Sequence, residues 1–226
     1  MAETKQDQQF DIAETLSKTE HFVNQNKKSL SIIVGAIVLA VGGYFYYEFV
    51  YVAGKEKEAQ TVMFHAEEFF RNDSLKLAIN GDGNNPGFEE IINQYGVSPS
   101  ANLAHLYLGM AYLKQKNYDQ AIETLKGYNP HDLITPSLAL GAIGDAYMEK
   151  NEVDEAITYY EKATKEKPNN FTTPILMMKL AAALESKGNY KDSKEVYLKI
   201  KKEYPASGEA QQAEKYIARA EALSQN

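Results

Sequence analysis

The longest apolar run in the chain lies in residues 27–49, KKSLSIIVGAIVLAVGGYFYYEF, where positions 30–47 hold 18 consecutive residues without a charge. Wound as a helix, that run is roughly 27 Å long, close to the hydrocarbon thickness of a bilayer. Tyr44, Phe45, Tyr46, Tyr47, Phe49 and Tyr51 crowd its C-terminal end as an interfacial aromatic belt would, and Lys27 and Lys28 flank the other end. A cleaved signal peptide fits badly. The leader is long and carries Glu3, Asp7, Asp11, Glu14 and Glu20, and bulky aromatics follow the run where a small-residue cleavage site would stand. The run is also longer than the apolar stretch of an ordinary core helix. The pattern predicts a permanent transmembrane signal anchor over residues 30–52. Near the span, Lys18, Lys27 and Lys28 precede it and Lys55 and Lys57 follow, a bias toward a cytoplasmic N-terminus with the rest of the chain across the membrane. Within the leader, residues 1–29, Asp11 and Glu14 are spaced as a capping box and Ile12, Leu16 and Val23 share one helical face, so this segment is either a short amphipathic helix or a frayed tail.

After the span the pattern changes to helical periodicity with a repeat. LGMAYLKQKNYDQAIETLKGY from Leu108, IGDAYMEKNEVDEAITYYEKA from Ile143 and LAAALESKGNYKDSKEVYLKI from Leu180 align at spacings of 35 and 37 residues. Gly109, Gly144 and Ala181 coincide, as do Ala121, Ala156 and Ser193. Tyr112, Tyr147 and Leu184 form a large position, and Leu125, Tyr160 and Tyr197 another. Small residues let two antiparallel helices approach closely, and large ones fill the space between units. The intervening segments KQKN, EKNE and SKGN are polar, and Pro168 and Pro205 close the second and third units. A single hairpin cannot bury its apolar face, so such units stack into a solenoid. Ahead of them, residues 53–101 read as a degenerate hairpin. In it EKEAQTVMFHAEEFFRNDSLKLAI is one long helix with Ala59, Met63, Ala66 and Phe70 on one face, NGDGNNPG is a loop, and FEEIINQY is a second helix ended by Val97-Ser98-Pro99. Residues 102–206 hold three repeats, and 207–226 a capping helix with Ser207 at its N-terminus and a polar outer face. The expected fold is all-α.

Composition removes several function classes. With 24 basic and 31 acidic residues the net charge is −7, which argues against nucleic acid as a partner. The absence of cysteine excludes thiolate metal sites, a cysteine nucleophile and a disulfide framework. His21, His65, His105 and His131 are scattered without paired ligand spacing. The GDGNNPG loop has neither EF-hand spacing nor a P-loop Gly-Lys-Ser/Thr. No catalytic residue, cofactor or metal is expected, and no small-molecule substrate.

The repeat unit resembles the tetratricopeptide repeat, with its small and aromatic positions and its closing proline. His105, Leu140 and Met177 stand where that family favours tryptophan. The resemblance implies that the first helix of each hairpin lines a concave groove. By register the groove candidates are Leu103, Leu106, Tyr107, Met110 and Leu113 in the first unit, Leu138, Asp145 and Met148 in the second, and Ile175 and Met178 in the third. Methionines and aliphatics here would suit a hydrophobic or helical client; the same positions could instead be core. The carboxylate clamp of chaperone-docking repeats is absent. In the span, Ser31, Gly35, Ala36, Ala40, Gly42 and Gly43 form small-residue faces suited to helix packing in lipid. In layout — leader, one span, repeat domain — the chain resembles the YfgM-like ancillary subunits of the SecYEG translocon. That resemblance implies a bacterial inner-membrane protein with a periplasmic repeat domain. Its partners would be translocon subunits, a periplasmic chaperone or prolyl isomerase, and secreted clients. The alternative is a structural scaffold of another envelope machine, in outer-membrane assembly or cell division, without client binding.

Overall fold

The computed structural model of the chain describes residues 12–130 and 132–224, with side chains from residue 17 onward, and contains helices and turns but no strand among them. The chain divides into two units, Met1–Ala53 and Gly54–Asn226.

In the first unit α1 (Ile12–Tyr46) starts inside the leader and runs unbroken through the apolar run, and a π-helical turn, Tyr47–Val52, follows. The Asp11–Glu14 pair lies outside the described residues and side chains. All side chains of residues 31–51 are exposed, Leu39 to 78%. The helical run is long and apolar enough to cross a membrane, with a mean hydropathy of 1.9 over an 18-residue window. The π turn widens the helix within the aromatic cluster, whose first members Tyr44, Phe45 and Tyr46 end α1. Phe45 stacks on Phe49 at 5.5 Å and Tyr47 on Tyr51 at 5.7 Å.

The second unit consists of α2 (Ala53–Arg71), α3 (Leu75–Asn80), α4 (Phe88–Tyr95), α5 (Pro99–Lys114), α6 (Tyr118–Lys126), α7 (Thr135–Glu149), α8 (Val153–Lys165), α9 (Thr172–Ser186), α10 (Tyr190–Glu203) and α11 (Gly208–Ser224). Three hairpins, α5–α6, α7–α8 and α9–α10, follow the repeat. Each turns on one residue in the left-handed region: Lys116 (φ 64°), Asn151 (φ 61°) and Gly188 (φ 80°). The hydrogen bonds around each are those of a Schellman motif. Lys116 N donates to Leu113 O and Asn117 N to Tyr112 O; Asn151 N donates to Met148 O and Glu152 N to Tyr147 O; Gly188 N donates to Glu185 O and Asn189 N to Leu184 O. Each pair satisfies carbonyls that the first helix would otherwise leave orphaned.

The expected single helix over residues 56–79 breaks, because the same motif recurs at Asp73 (φ 56°), whose N–H donates to Phe70 O while Ser74 N donates to Phe69 O. Counted from these four turns, Ala66 joins Gly109, Gly144 and Ala181, and Ala78 joins Ala121, Ala156 and Ser193 as a fully buried small residue. Helices α2 and α3 therefore repeat the hairpin geometry. Asp73 and Lys116 are 43 residues apart, against 35 and 37 for the next two intervals. The surplus matches loop 81–87, which is pinched off between α3 and α4. A Cβ on Gly87 would lie 2.2 Å from Ile79 O and 2.4 Å from Gly81 N, so the neck closes backbone to backbone. Ser98-Pro99 begins α5 where a helix end was expected: the Ser98 hydroxyl accepts from Ala101 N at 3.0 Å, and proline occupies the first turn, where no intrahelical N–H bond is lost.

Packing follows the small positions. Met63, Ala66, Ala78, Phe88, Ile91, Ala104, Leu108 and Tyr112 form one core cluster joining α2 to α6. Full burial of Phe88 and Ile91 contributes about 1.5–3 kcal/mol each. Further clusters join α5–α7, α8–α9 and α9–α11. The last helix is capped by the Ser207 hydroxyl, which accepts from Ala210 N at 3.0 Å, and it stacks Tyr216 on Tyr197 at 5.3 Å.

Candidate protein-binding groove

Gly144 builds the centre of the groove. With no Cβ on α7, the ring of Tyr160 from α8 packs against the helix backbone; a Cβ there would meet Tyr160 Cε1 at 2.6 Å. The ring is buried, and its hydroxyl reaches past α7 to donate to Asp145 Oδ1 at 2.7 Å. Lys179 of α9 donates to both carboxylate oxygens of Asp145, at 2.8 and 2.6 Å. Burial, then the Asp145 charge and hydrogen bond, push the Tyr160 hydroxyl well above its ordinary range, so it stays a neutral donor. These three side chains come from three successive helices and hold α7, α8 and α9 in register.

Around this ion pair lies an open cavity of about 540 Å³, whose walls include Leu113, Lys114, Tyr118, Met148, Glu149 and Ala182. The Tyr118 hydroxyl donates to Glu149 Oε2 at 3.0 Å. The surface is mixed: Leu113, Met148, Ala182 and Ala183 stand among Lys114, Lys116, Lys179, Asp145 and Glu149. Such a surface can bind a peptide through apolar contact and a few polar groups.

The groove candidates separate into groups. Leu113, Asp145 and Met148 line this cavity. Met110, Leu138 and Ile175 are exposed at 36%, 41% and 39%. Met178 is half-buried against the α9–α11 cluster. Leu106 is buried with Ile122 and Leu125, so it belongs to the core and is removed from the groove set. Tyr107 is half-buried between Phe88, on which it stacks at 5.4 Å, and Phe70, which it meets edge-on at 5.5 Å. Leu103 is half-buried against two clusters. By its place in the repeat, Tyr160 is a packing residue. The signal that could have exposed its second role is the pairing of Gly144 with a bulky Tyr160 directly behind an acidic groove position.

The remaining candidate chemistry is structural. His105 is half-buried, and desolvation lowers its pKa. His21 pairs with Gln25 at 3.1 Å, His65 packs edge-on to Phe64, and His131 lies outside the described residues. No cluster of three metal-ligating side chains occurs among the described residues. In α1, Ser31, Gly35, Ala36, Ala40, Gly42 and Gly43 are all exposed, and space is open at the three glycines.

Residues 85–186 match the family model of a tetratricopeptide repeat-like domain, and residues 176–207 that of the tetratricopeptide repeat. No curated protein matches the chain. Among solved structures, the nearly identical TPR-like repeats of a Podosopora anserina protein, provisionally named a kinesin light chain, align at 14% identity. The alignment has a TM-score of 0.59 and covers 75% of this chain and 88% of that one. A point variant of the same repeats gives 15% identity and a TM-score of 0.58, covering 75% and 87%. These likenesses concern the fold, which is typically a non-catalytic scaffold for protein–protein interaction. The repeat domain thus has a tetratricopeptide-like helical fold.

Proposed function

We propose that the chain is a non-catalytic, membrane-anchored adaptor of the bacterial inner membrane, with its repeat domain at the periplasmic face of the Sec translocon. The observation that carries this reading is the joining of two features. An apolar helix with every side chain of residues 31–51 exposed leads directly into a repeat domain with an open cavity, where Leu113 and Met148 stand among charged side chains. In water the exposed apolar surface would cost about 25 cal/mol per Å², which a bilayer relieves. The lysine bias supports a cytoplasmic N-terminus, and the resemblance in layout to YfgM-like subunits supports the translocon as neighbour. Leu113, Met148 and Met178 would take apolar side chains of a chaperone, a prolyl isomerase or an emerging client, with Asp145 and Lys179 orienting polar groups. Small-residue faces at Gly35, Ala36 and Gly42 would pack against a partner's span.

A second reading has its own support. The Asp145–Lys179 pair already satisfies both charges within the chain, and Leu106 and Tyr107 are committed to packing. A scaffold of an outer-membrane assembly or division machine would need no more than this. Purification of the full-length protein in mild detergent, with mass spectrometry of its companions, tests the proposal. Stoichiometric translocon subunits with a periplasmic chaperone are expected. A division or outer-membrane complex in their place overturns it.

A further inference from the structure

The two long edges of the repeat domain differ in chemistry. At one edge lie the four Schellman turns, residues 72–74, 115–117, 150–152 and 187–189, which carry only polar side chains or glycine. Ion pairs bridge neighbouring hairpins there: Lys114 with Asp73 at 3.0 Å, Lys150 with Asp119 at 2.7 Å, and Lys187 with Asp154. The other edge carries the loops between hairpins. Val97 stands in the first of these at 44% exposure, Leu133 and Ile134 in the second at 71% and 46%, and Phe171 in the third at 70%. Among the described residues from 54 onward, Leu133 and Phe171 are the most exposed large apolar side chains.

Hydrogen bonding holds these groups outward. Asp132 Oδ1 accepts from the backbone N–H of Ile134 and of Thr135, both at 2.7 Å. Asn169 Oδ1 does the same for Phe171 at 2.9 Å and Thr172 at 2.7 Å. Lys167 Nζ ties the two loops by donating to Asp132 O at 2.8 Å. An aromatic and two aliphatics thus stand on braced loops with no protein over them.

The domain's first residues lie at this same edge. Glu56, in the first turn of α2, accepts from Ser100 N and Oγ, both at 2.8 Å, in the first turn of α5. Asn102 of α5 pairs with the Asn129 backbone in the next loop, at 2.6 and 2.9 Å. Ser137 of α7 meets Thr172 of α9 at 3.0 Å. The N-termini of α2, α5, α7 and α9 therefore share the edge bearing Val97, Leu133, Ile134 and Phe171. The peptide bond from Ala53 to Gly54, through which the apolar helix is attached, is three residues from Glu56 at most.

We propose that this edge is a lipid-contacting surface, with Leu133, Ile134 and Phe171 seated in the interface of the bilayer that holds the apolar helix. Large apolar and aromatic side chains partition into that interface, and the tether keeps the edge within reach of it at high effective concentration. The polar turns then face away from the lipid. The inference rests on the membrane-anchor reading and adds the orientation of the domain's edges to it.

The chain has no tryptophan, so single reporters can be placed in the full-length protein. Phe171→Trp, Gln115→Trp and Leu39→Trp are reconstituted separately into phosphatidylcholine vesicles with ordinary or brominated acyl chains, and tryptophan emission is compared. Brominated lipid is expected to at least halve the emission of Phe171→Trp and of Leu39→Trp, and to leave Gln115→Trp unchanged. Equal emission of Phe171→Trp in both lipids, with Leu39→Trp quenched, overturns the lipid contact and leaves the anchor intact. An unquenched Leu39→Trp removes the anchor and this inference with it. A blue-shifted but unquenched Phe171→Trp assigns the edge to a protein contact and also overturns the proposal.

Discussion

A Cβ at residue 144 would lie 2.6 and 2.7 Å from two ring carbons of Tyr160. The ring cannot give way cheaply, because it is buried and its hydroxyl is held by Asp145. At an unhindered helix interior Gly→Ala stabilises by about 1 kcal/mol, through the unfolded chain's lost freedom. In Gly144→Ala that gain meets an overpacking cost of about 1–3 kcal/mol. Displacing the Tyr160 hydroxyl from Asp145 adds about 1 kcal/mol more. The expected net loss is about 2 kcal/mol, or about 4–8 °C in Tm for a domain of this size. Thermal unfolding of the full-length protein in detergent, followed by circular dichroism, reads it. In a Tyr160→Ala background the ring that obstructs it is gone, so the same Gly144→Ala change should be neutral or stabilising, a coupling of about 2–3 kcal/mol. Gly208→Ala, where nothing lies within 4 Å, serves as the unhindered control. A Tm for Gly144→Ala at or above wild type, or an undiminished loss beside Tyr160→Ala, would refute the account of how the groove centre is built.

Other perturbations test neighbouring links. Gly188→Ala, in open space but at φ 80°, should cost about 1–2 kcal/mol from backbone strain alone, whereas Lys116→Gly at φ 64° should raise Tm by a few degrees. Alkaline pH should unfold the domain early. Burial and, for Tyr112, the Glu89 hydrogen bond push its hydroxyl up to about 12, and burial foremost raises Tyr107, Tyr128, Tyr160 and Tyr197 as well. Each favours the protonated folded state, so this stability is full below about pH 10 and declines as pH rises toward the folded values; urea midpoints that stay flat across that window would contradict it. Met148→Glu places a third carboxylate beside Asp145 and Glu149 and should abolish partner capture while lowering Tm by less than about 4 °C, since Met148 is only half-buried.

The repeat was legible because its spacing rules are local. Gly109, Gly144 and Ala181 are small for a steric reason that the aligned large positions Leu125, Tyr160 and Tyr197 make visible. The break at Asp73 was not legible, since a left-handed turn at an aspartate leaves the 3.6-residue apolar period on either side intact. Nor could periodicity divide groove from core on α5. That helix packs against α4, α6 and α7, so apolar residues surround it, and Leu106 and Tyr107 look like Met110 in sequence. The Asp145–Tyr160–Lys179 contact spans three helices and 34 residues, a distance over which no local pattern speaks.

The central claim is that the concave surface of the membrane-tethered repeat domain is its partner-binding face. A photoreactive amino acid replacing Met148 in the full-length protein, irradiated in intact membranes and compared with the same group at the exposed Glu155 of α8, tests it most directly. The account predicts discrete adducts from position 148, containing translocon subunits or a periplasmic chaperone, and none from position 155. Equal adducts from both positions, or adducts from position 155 alone, would contradict it.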